Sequence, residues 1–112
     1  MDTSVKQQDQ TTIVSITGSV DALTAGELTN LLLENIDSQH IRLVVDLGGV
    51  DFMSSAGLRA IMTSLKESRK HGGDLRLAAA QPGVEKILKM SGFTSILKSY
   101  STLDQAVSSF GS

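Results

Sequence analysis

The run at residues 41–47, Ile-Arg-Leu-Val-Val-Asp-Leu, constrains the fold more than any other segment, because it is almost entirely apolar. A strand exposed on one face alternates apolar and polar side chains, whereas a strand buried on both faces does not. Strands of the second kind are typical of parallel sheets whose two faces are covered. The run therefore predicts a central parallel strand.

Two weaker strands are predicted before this run. Residues 11–17 are rich in Thr, Ile and Val and favour a strand, and the polar segment Val5–Gln8 suits the edge of a sheet. A turn at Asp9 and Gln10 would join the two strands as a hairpin. Residues 18–21, Gly-Ser-Val-Asp, are expected to end the second strand.

Helical spacing of apolar residues predicts two longer helices. A capping box of Thr24 and Glu27 begins the first, which is expected over residues 24–37. The second follows Ser54-Ser55 and ends at Gly72-Gly73. Its apolar residues share one stripe, formed by Leu58, Ile61, Met62 and Leu65.

The remaining segments predict shorter elements. A strand is expected over residues 74–80, and Pro82 suits the first turn of a short helix that Gly92 ends. A last strand is expected over residues 96–100, and Ser101 and Asp104 are the predicted caps of a terminal helix. Strands that alternate with helices indicate one α/β domain over residues 1–112, with a mixed sheet of four to five strands and about four helices packed on it.

The composition disfavours several classes of function. The 112-residue chain has no Cys, which excludes disulfides, thiolate metal sites and cysteine nucleophiles. Its net charge is −2 and no basic run occurs, so nucleic acid is not an expected partner. No apolar run is long enough to span a bilayer and no secretory signal is seen, so we expect a cytoplasmic protein with no membrane partner.

Catalytic constellations are mostly missing from the sequence. His40 and His71 stand alone and are expected to be solvent-exposed, and no ligand residues have the spacing that holds a metal. Neither glycine pair is followed by the Gly-Lys-Ser/Thr of a phosphate-binding P-loop. Asp46 and Asp51 flank the loop after the central strand and suit either an acidic site or ordinary surface charges. We therefore expect no enzyme activity, no metal and no cofactor.

Residues 52–58, Phe-Met-Ser-Ser-Ala-Gly-Leu, lie where a strand is followed by a helix, a position at which function gathers in α/β folds. Taken alone, the serine pair is most simply an N-cap. The segment nevertheless resembles the signature of the bacterial anti-sigma factor antagonists, the STAS domain family. Similar motifs of that family extend the resemblance over about residues 5–110, namely Gly18-x-x-Asp21, Gly72-Gly73 with Leu75-x-Leu77, and Leu88-x-Met90-Ser91-Gly92-Phe93.

The resemblance implies that Ser55 is phosphorylated. The acceptor serine of the family usually follows an Asp and precedes a Ser or Thr; here Ser54 and Ala56 occupy those two positions. Two partners are implied: a histidine-kinase-like serine kinase that is also an anti-sigma factor, and a metal-dependent serine phosphatase. Binding of the kinase by the unphosphorylated protein, and its release after phosphorylation, would then free a sigma factor. An adaptor that regulates a transporter or another signalling protein is the alternative.

Helix geometry, at 3.6 residues per turn, predicts where such a partner would bind. Ser55 falls beside the apolar stripe on the Met62 edge, with Arg59 and Lys66 on the same side, although these two also suit a merely solvated face. Gly57 suits close approach of another backbone or tight packing on the sheet. The predicted partner-binding residues are Gly18, Asp21, Ser54, Ser55, Ala56, Gly57, Arg59, Met62 and Lys66.

Overall fold

The computed structural model describes residues 1–111 and contains five strands and four α-helices in that range. The strands are β1 (Asp2–Gln8), β2 (Thr11–Val20), β3 (Arg42–Met53), β4 (Asp74–Ala78) and β5 (Ser99–Tyr100). The helices are α1 (Ala25–Asp37), α2 (Ser55–Lys70), α3 (Pro82–Met90) and α4 (Leu103–Ser108), and a short 3₁₀ helix spans Phe93–Ser95. The predicted α/β architecture is confirmed.

The sheet is mixed and follows chain order, β1-β2-β3-β4-β5. The strand β1 is antiparallel to β2 at one edge, and every other neighbouring pair is parallel. All of the apolar run of residues 41–47 except Ile41 lies in β3, the middle strand, where Leu43, Val44, Val45 and Leu47 are fully buried. The prediction of a central parallel strand is therefore confirmed.

The two faces of the sheet are covered unequally. The large core cluster joins alternate residues of β3, such as Leu43 and Val45, to buried residues of α1, α2 and α3. On the other face, Val44 belongs to a smaller cluster with Ala106 and Val107 of the short helix α4. The longer helices therefore form one full layer on the first face, in which α2 contacts both the sheet and α1.

The second strand was predicted over residues 11–17, but β2 continues through Gly18 and ends at Val20. The matching segment of β3 also continues, through Gly48-Gly49 to Met53, where a loop was predicted. The two extensions pair with each other in parallel, with irregular register between Ser15 and Thr17 and again after Gly18. Neither extension has a local strand pattern, so their pairing across the sheet is what makes them strands.

Thr24 is the N-cap residue of α1, as predicted, but the capping box predicted for Thr24 and Glu27 does not form. The hydroxyl of Thr24 makes no hydrogen bond to the first turn of α1. It accepts instead from the backbone N–H of Asp21 at 2.9 Å, while the Asp21 carboxylate accepts from the backbone N–H of Thr24 at 3.1 Å. This reciprocal pair has the bonding pattern of a capping box, but it closes the turn at residues 21–24, which precedes α1.

The smaller elements differ from prediction at their ends. β1 begins three residues before Val5, and β4 ends at Ala78 because Ala79 has a positive φ of 59°. The last strand is limited to Ser99–Tyr100, the two residues that pair with β4. The cap of α4 is Thr102, whose hydroxyl accepts from the Gln105 N–H, rather than Ser101. Pro82 is the first residue of α3, as predicted.

Candidate functional site

Two adjacent serines form the junction between β3 and α2. The hydroxyl of Ser54 accepts from the backbone N–H of Gly57 at 3.2 Å, so the predicted N-cap is confirmed. The backbone N–H of Ser54 donates to the carbonyl of Val20 at 2.9 Å, which ties the junction to the end of β2. Ser55 is the first helical residue and is exposed to solvent, so its hydroxyl is accessible to another protein.

Gly57 faces the inside of the protein, not a partner. It is buried, and an added Cβ would lie 2.5 Å from the sulfur of Met53 and 2.8 Å from Cγ1 of Val20. Of the two explanations open from the sequence, tight packing on the sheet is therefore the correct one. Its assignment as a partner-binding residue is withdrawn, and Ala56 beside it is half-buried.

A groove of about 560 Å³ runs along the exposed side of α2 and begins at Ser55. It contains the footprint that the helix geometry predicts, since the exposed side chains of Arg59 and Lys66 and the half-buried Met62 all line it. Its complete lining is Ser55, Leu58, Arg59, Met62, Lys66, Ser91, Phe93 and Ile96. The structure thus brings cationic and apolar side chains together beside the Ser55 hydroxyl.

The second wall of the groove was not predicted from the sequence. It comes from the connection between α3 and β5, where Phe93 is half-buried and Ile96 is 46% exposed. The guanidinium of Arg69 donates to the Ile96 carbonyl at 2.8 Å and so joins this connection to α2. The only sequence signal for this wall was the motif ending in Phe93, whose position next to α2 depends on tertiary packing.

Gly18 and Asp21, which were expected in a turn beside the footprint, do not line the groove. Gly18 lies within β2 with φ of +96°, next to the backbone of Met1. Asp21 lies in the turn before α1, where burial acts to raise the pKa of its carboxyl. Hydrogen bonds from the Thr24 and Leu23 N–H groups and from the Thr24 hydroxyl outweigh burial and lower that pKa. The role of Asp21 visible here is to hold the turn that precedes α1.

The cations of the groove have no anionic partner in the described chain. Within residues 1–111, neither Arg59 nor Lys66 forms an ion pair, and no acidic residue lines the groove. The first turn of α2 also lacks an acidic residue, although the positive end of a helix dipole favours one there. The groove is therefore electropositive.

The other titratable residues considered from the sequence have local partners. Asp46 accepts from the backbone N–H of Gly48 at 2.9 Å, and Asp51 accepts from the Ser19 hydroxyl at 3.0 Å. His40 and His71 are both exposed, as predicted. Over the described range, no cluster of three His, Asp or Glu side chains is arranged to hold a metal ion, and no helix has the length and apolarity needed to cross a membrane.

The chain is similar to known proteins over most of its length. Residues 2–106 match the profile of the STAS domain. A Bordetella bronchiseptica protein named as a candidate anti-sigma factor antagonist, BtrV, is 34% identical over 98 residues, which is 88% of this chain and 84% of that protein.

Two solved structures extend the comparison. The crystal structure of an anti-sigma factor antagonist from Mycobacterium paratuberculosis has a TM-score of 0.88 and 27% identity, covering 96% of this chain and 92% of that one. The Bacillus cell fate determinant SpoIIAA in its phosphorylated form has a TM-score of 0.75 and 15% identity, covering 97% of this chain and 99% of that one. The second likeness is one of fold.

Proposed function

The chain belongs to the STAS domain family, and we propose that it is an anti-sigma factor antagonist controlled by phosphorylation of Ser55. The observation that carries this proposal is the exposed Ser55 hydroxyl at the rim of an apolar groove whose cations have no ion pair within residues 1–111. The names of the relatives support the regulatory class, and the family signature at residues 52–58 supports the residue.

In the unphosphorylated state, the groove binds a histidine-kinase-like serine kinase that also acts as an anti-sigma factor. The kinase is thereby held away from its sigma factor, which becomes free to direct transcription. Binding also delivers Ser55 to the kinase, whose ATP donates a phosphoryl group to Oγ as ADP leaves and the hydroxyl proton is lost. A metal-dependent serine phosphatase later hydrolyses the phosphate ester, and the cycle runs in the cytoplasm.

Phosphorylation acts on the complex and leaves the fold intact. A phosphate adds roughly −1.5 to −2 charges at pH 7. At the first residue of α2 this charge lies in solvent near the positive end of the helix, where such terms change stability by only about 0.3–1 kcal/mol. The same charge inside a partner's footprint has to be desolvated on binding, which favours release.

On this proposal the protein is a binding module with no catalytic residues of its own. The leading alternative within the family is an adaptor that regulates a transporter or another signalling protein. The two functions differ in the partner that the groove selects, and that difference can be measured directly.

The decisive experiment uses Ser55→Ala and Ser55→Asp as baits in lysate of the source organism, with mass spectrometry of the captured proteins. The Ala variant is expected to retain a kinase-like ATPase and resist phosphorylation, whereas the Asp variant is expected to lose most of that protein. Both variants should melt within a few degrees of the wild type, since Ser55 is exposed.

Three outcomes would contradict the proposal. Equal recovery of the kinase by both variants would remove Ser55 from the switch. Capture of a permease in place of a kinase would support the adaptor. A large loss of melting temperature in the Asp variant would mean that phosphorylation acts through unfolding of α2.

A further inference from the structure

We propose that Arg59 binds the phosphate of phosphorylated Ser55 within the same helix, so that phosphorylation removes this cation from the groove as well as adding an anion. The inference rests on the proposed role of Ser55 as the acceptor. It concerns a residue that the family signature at residues 52–58 does not include.

The spacing of the two residues allows direct contact. Arg59 lies four residues after Ser55 in the regular helix α2, and both side chains line the same groove. Residues at this spacing are neighbours on a helix surface, with Cβ atoms about 5–6 Å apart. Side chains in helices lean toward the N-terminus, so a guanidinium at position 59 can reach back to a group at position 55.

No other group in the described chain competes for Arg59. The chain has four arginines, and the other three donate side-chain hydrogen bonds: Arg42 to Gln10, Arg69 to Asp74, and Arg76 to Asp74 and Ser109. Within residues 1–111, Arg59 alone among them has no such partner. A phosphate on Ser55 would be an anion within its reach.

The chemistry of arginine suits this role better than that of lysine. The planar guanidinium donates two parallel hydrogen bonds to a phosphate, whereas an ammonium acts as a point charge. Lys66 is also too far along the helix to contribute, since its Cα lies 11 residues from Ser55, or about 16 Å along the axis. Arg59 is therefore the groove cation that gains a hydrogen-bond partner when Ser55 is phosphorylated.

This capture has a consequence for partner binding. In the unphosphorylated protein, Arg59 is free to pair with a carboxylate of the partner beside the apolar lining of Leu58, Met62 and Phe93. In the phosphorylated protein the same guanidinium is occupied internally. A partner then meets a groove that has lost an available cation and gained an anion at its rim.

The test measures the phosphate itself and needs no partner. Phosphoserine is incorporated at position 55 during translation, and the second pKa of the phosphate is determined by ³¹P NMR titration at low salt. The variants are Arg59→Gln, Arg59→Lys and, as the matched control with the same loss of charge, Lys66→Gln. Helix amide donors are present in all of them and therefore cancel in the comparison.

A nearby cation stabilises the dianion, so the phosphate pKa in the wild type should lie roughly 0.3–0.7 units below that in Arg59→Gln. Lys66→Gln should match the wild type, and Arg59→Lys should fall between the two. The difference should shrink at high salt because the pair is exposed. The proposal would be overturned if the phosphate pKa in Arg59→Gln equalled that in the wild type or that in Lys66→Gln.

The result is separable from that of the proposed function. A pKa difference at Arg59 without any captured kinase would support the contact and count against the switch. A captured kinase that phosphorylates Ser55, with no pKa difference at Arg59, would support the switch and refute the contact.

Discussion

The charged side chains of α2 that line the groove are unpaired in the described range, whereas those of its last turn are paired. The groove residues are Arg59 and Lys66, and neither forms an ion pair within residues 1–111. Toward the C-terminus, Glu67 lies 3.7 Å from Lys70 and 3.3 Å from His71. Arg69 lies 2.9 Å from Asp74, which also contacts Arg76 at 3.1 Å.

The difference separates the part of the helix that holds the fold together from the part that is available to another molecule. The Asp74 cluster joins α2, β4 and, through Arg76 stacked 4.0 Å from the ring of Phe110, the chain after α4. Arg59 and Lys66 form no such link within the described residues, and the groove they line is open to solvent. Unpaired charges beside exposed apolar side chains are typical of an interface.

The largest expected effect tests the packing beneath the first turn of α2. Gly57→Ala places a Cβ against Met53 and Val20, and overpacking of this kind costs about 1–3 kcal/mol of unfolding free energy. The matched control is Gly83→Ala in α3, where no atom lies within 4 Å of the added Cβ. That control should leave stability unchanged or raise it by up to ~1 kcal/mol. Chemical denaturation measures both, and equal effects would contradict the packing argument.

The second prediction tests the wall that the sequence did not reveal. Phe93→Ala removes an aromatic side chain from the groove and should weaken kinase binding about tenfold or more, as loss of a central apolar contact does. Met90→Ala is the control, since Met90 is 77% exposed and does not line the groove. Calorimetric titration with the captured kinase provides the affinities, and thermal melts verify the fold. Unchanged affinity in Phe93→Ala would restrict the interface to α2.

The third prediction adds the carboxylate that the first turn of α2 lacks. Ser54→Asp keeps a good N-cap, so the free energy of unfolding should change by less than about 0.5 kcal/mol. Kinases position acceptor hydroxyls with carboxylates and metal ions, so phosphorylation of Ser55 should become a few-fold faster. Initial rates with ATP and the cognate kinase measure this effect. A slower variant would indicate that the added charge mainly repels the phosphate.

The fourth prediction compares the two arginines directly. Arg69→Gln breaks a salt bridge and a hydrogen bond to the Ile96 carbonyl, and should cost about 0.5–1 kcal/mol of stability. Arg59→Gln should change stability by less than about 0.5 kcal/mol, because that side chain is exposed and unpaired in the described range. In kinase binding, Arg59→Gln should have the larger effect of the two substitutions. If Arg69→Gln had the larger effect on both stability and kinase binding, the distinction between the groove and the last turn of α2 would be lost.

The smallest effect concerns pH. Burial acts to raise the pKa of Asp74, but hydrogen bonds from Arg76 and Arg69 outweigh it and lower that pKa below 3.8. The stabilisation from this carboxylate is therefore complete above pH 3.8 and is lost as the pH falls through the lowered value. Asp74→Asn should remove only a few tenths of a kcal/mol of pH-dependent stability, since Arg69, one of the two partners of Asp74, is exposed to solvent. Melts from pH 6 to pH 2 test this, and parallel curves for both proteins would contradict it.

Local patterns in the sequence were enough to predict the features whose interactions are local. The Ser54 cap, the start of α3 at Pro82 and the end of α2 near Gly72 each depend on residues within one turn of the feature. The apolar run of residues 41–47 was enough for the middle of the sheet. The exposed position of Ser55 also follows from helical periodicity, since Leu58, Ile61 and Leu65 must face the core.

By itself, the sequence determined the order of elements, the capped helix with its apolar stripe, and the line of Ser55, Arg59, Met62 and Lys66 along it. Only the tertiary structure decided that β2 and β3 continue as strands to Val20 and Met53, that Asp21 bonds Thr24 in the turn before α1, and that Phe93 and Ile96 complete the groove. The physical reason is how far apart in the sequence the interacting residues lie. Helix caps and stripes arise between residues a turn apart, whereas strand pairing and groove walls arise between segments that only the folded chain brings into contact.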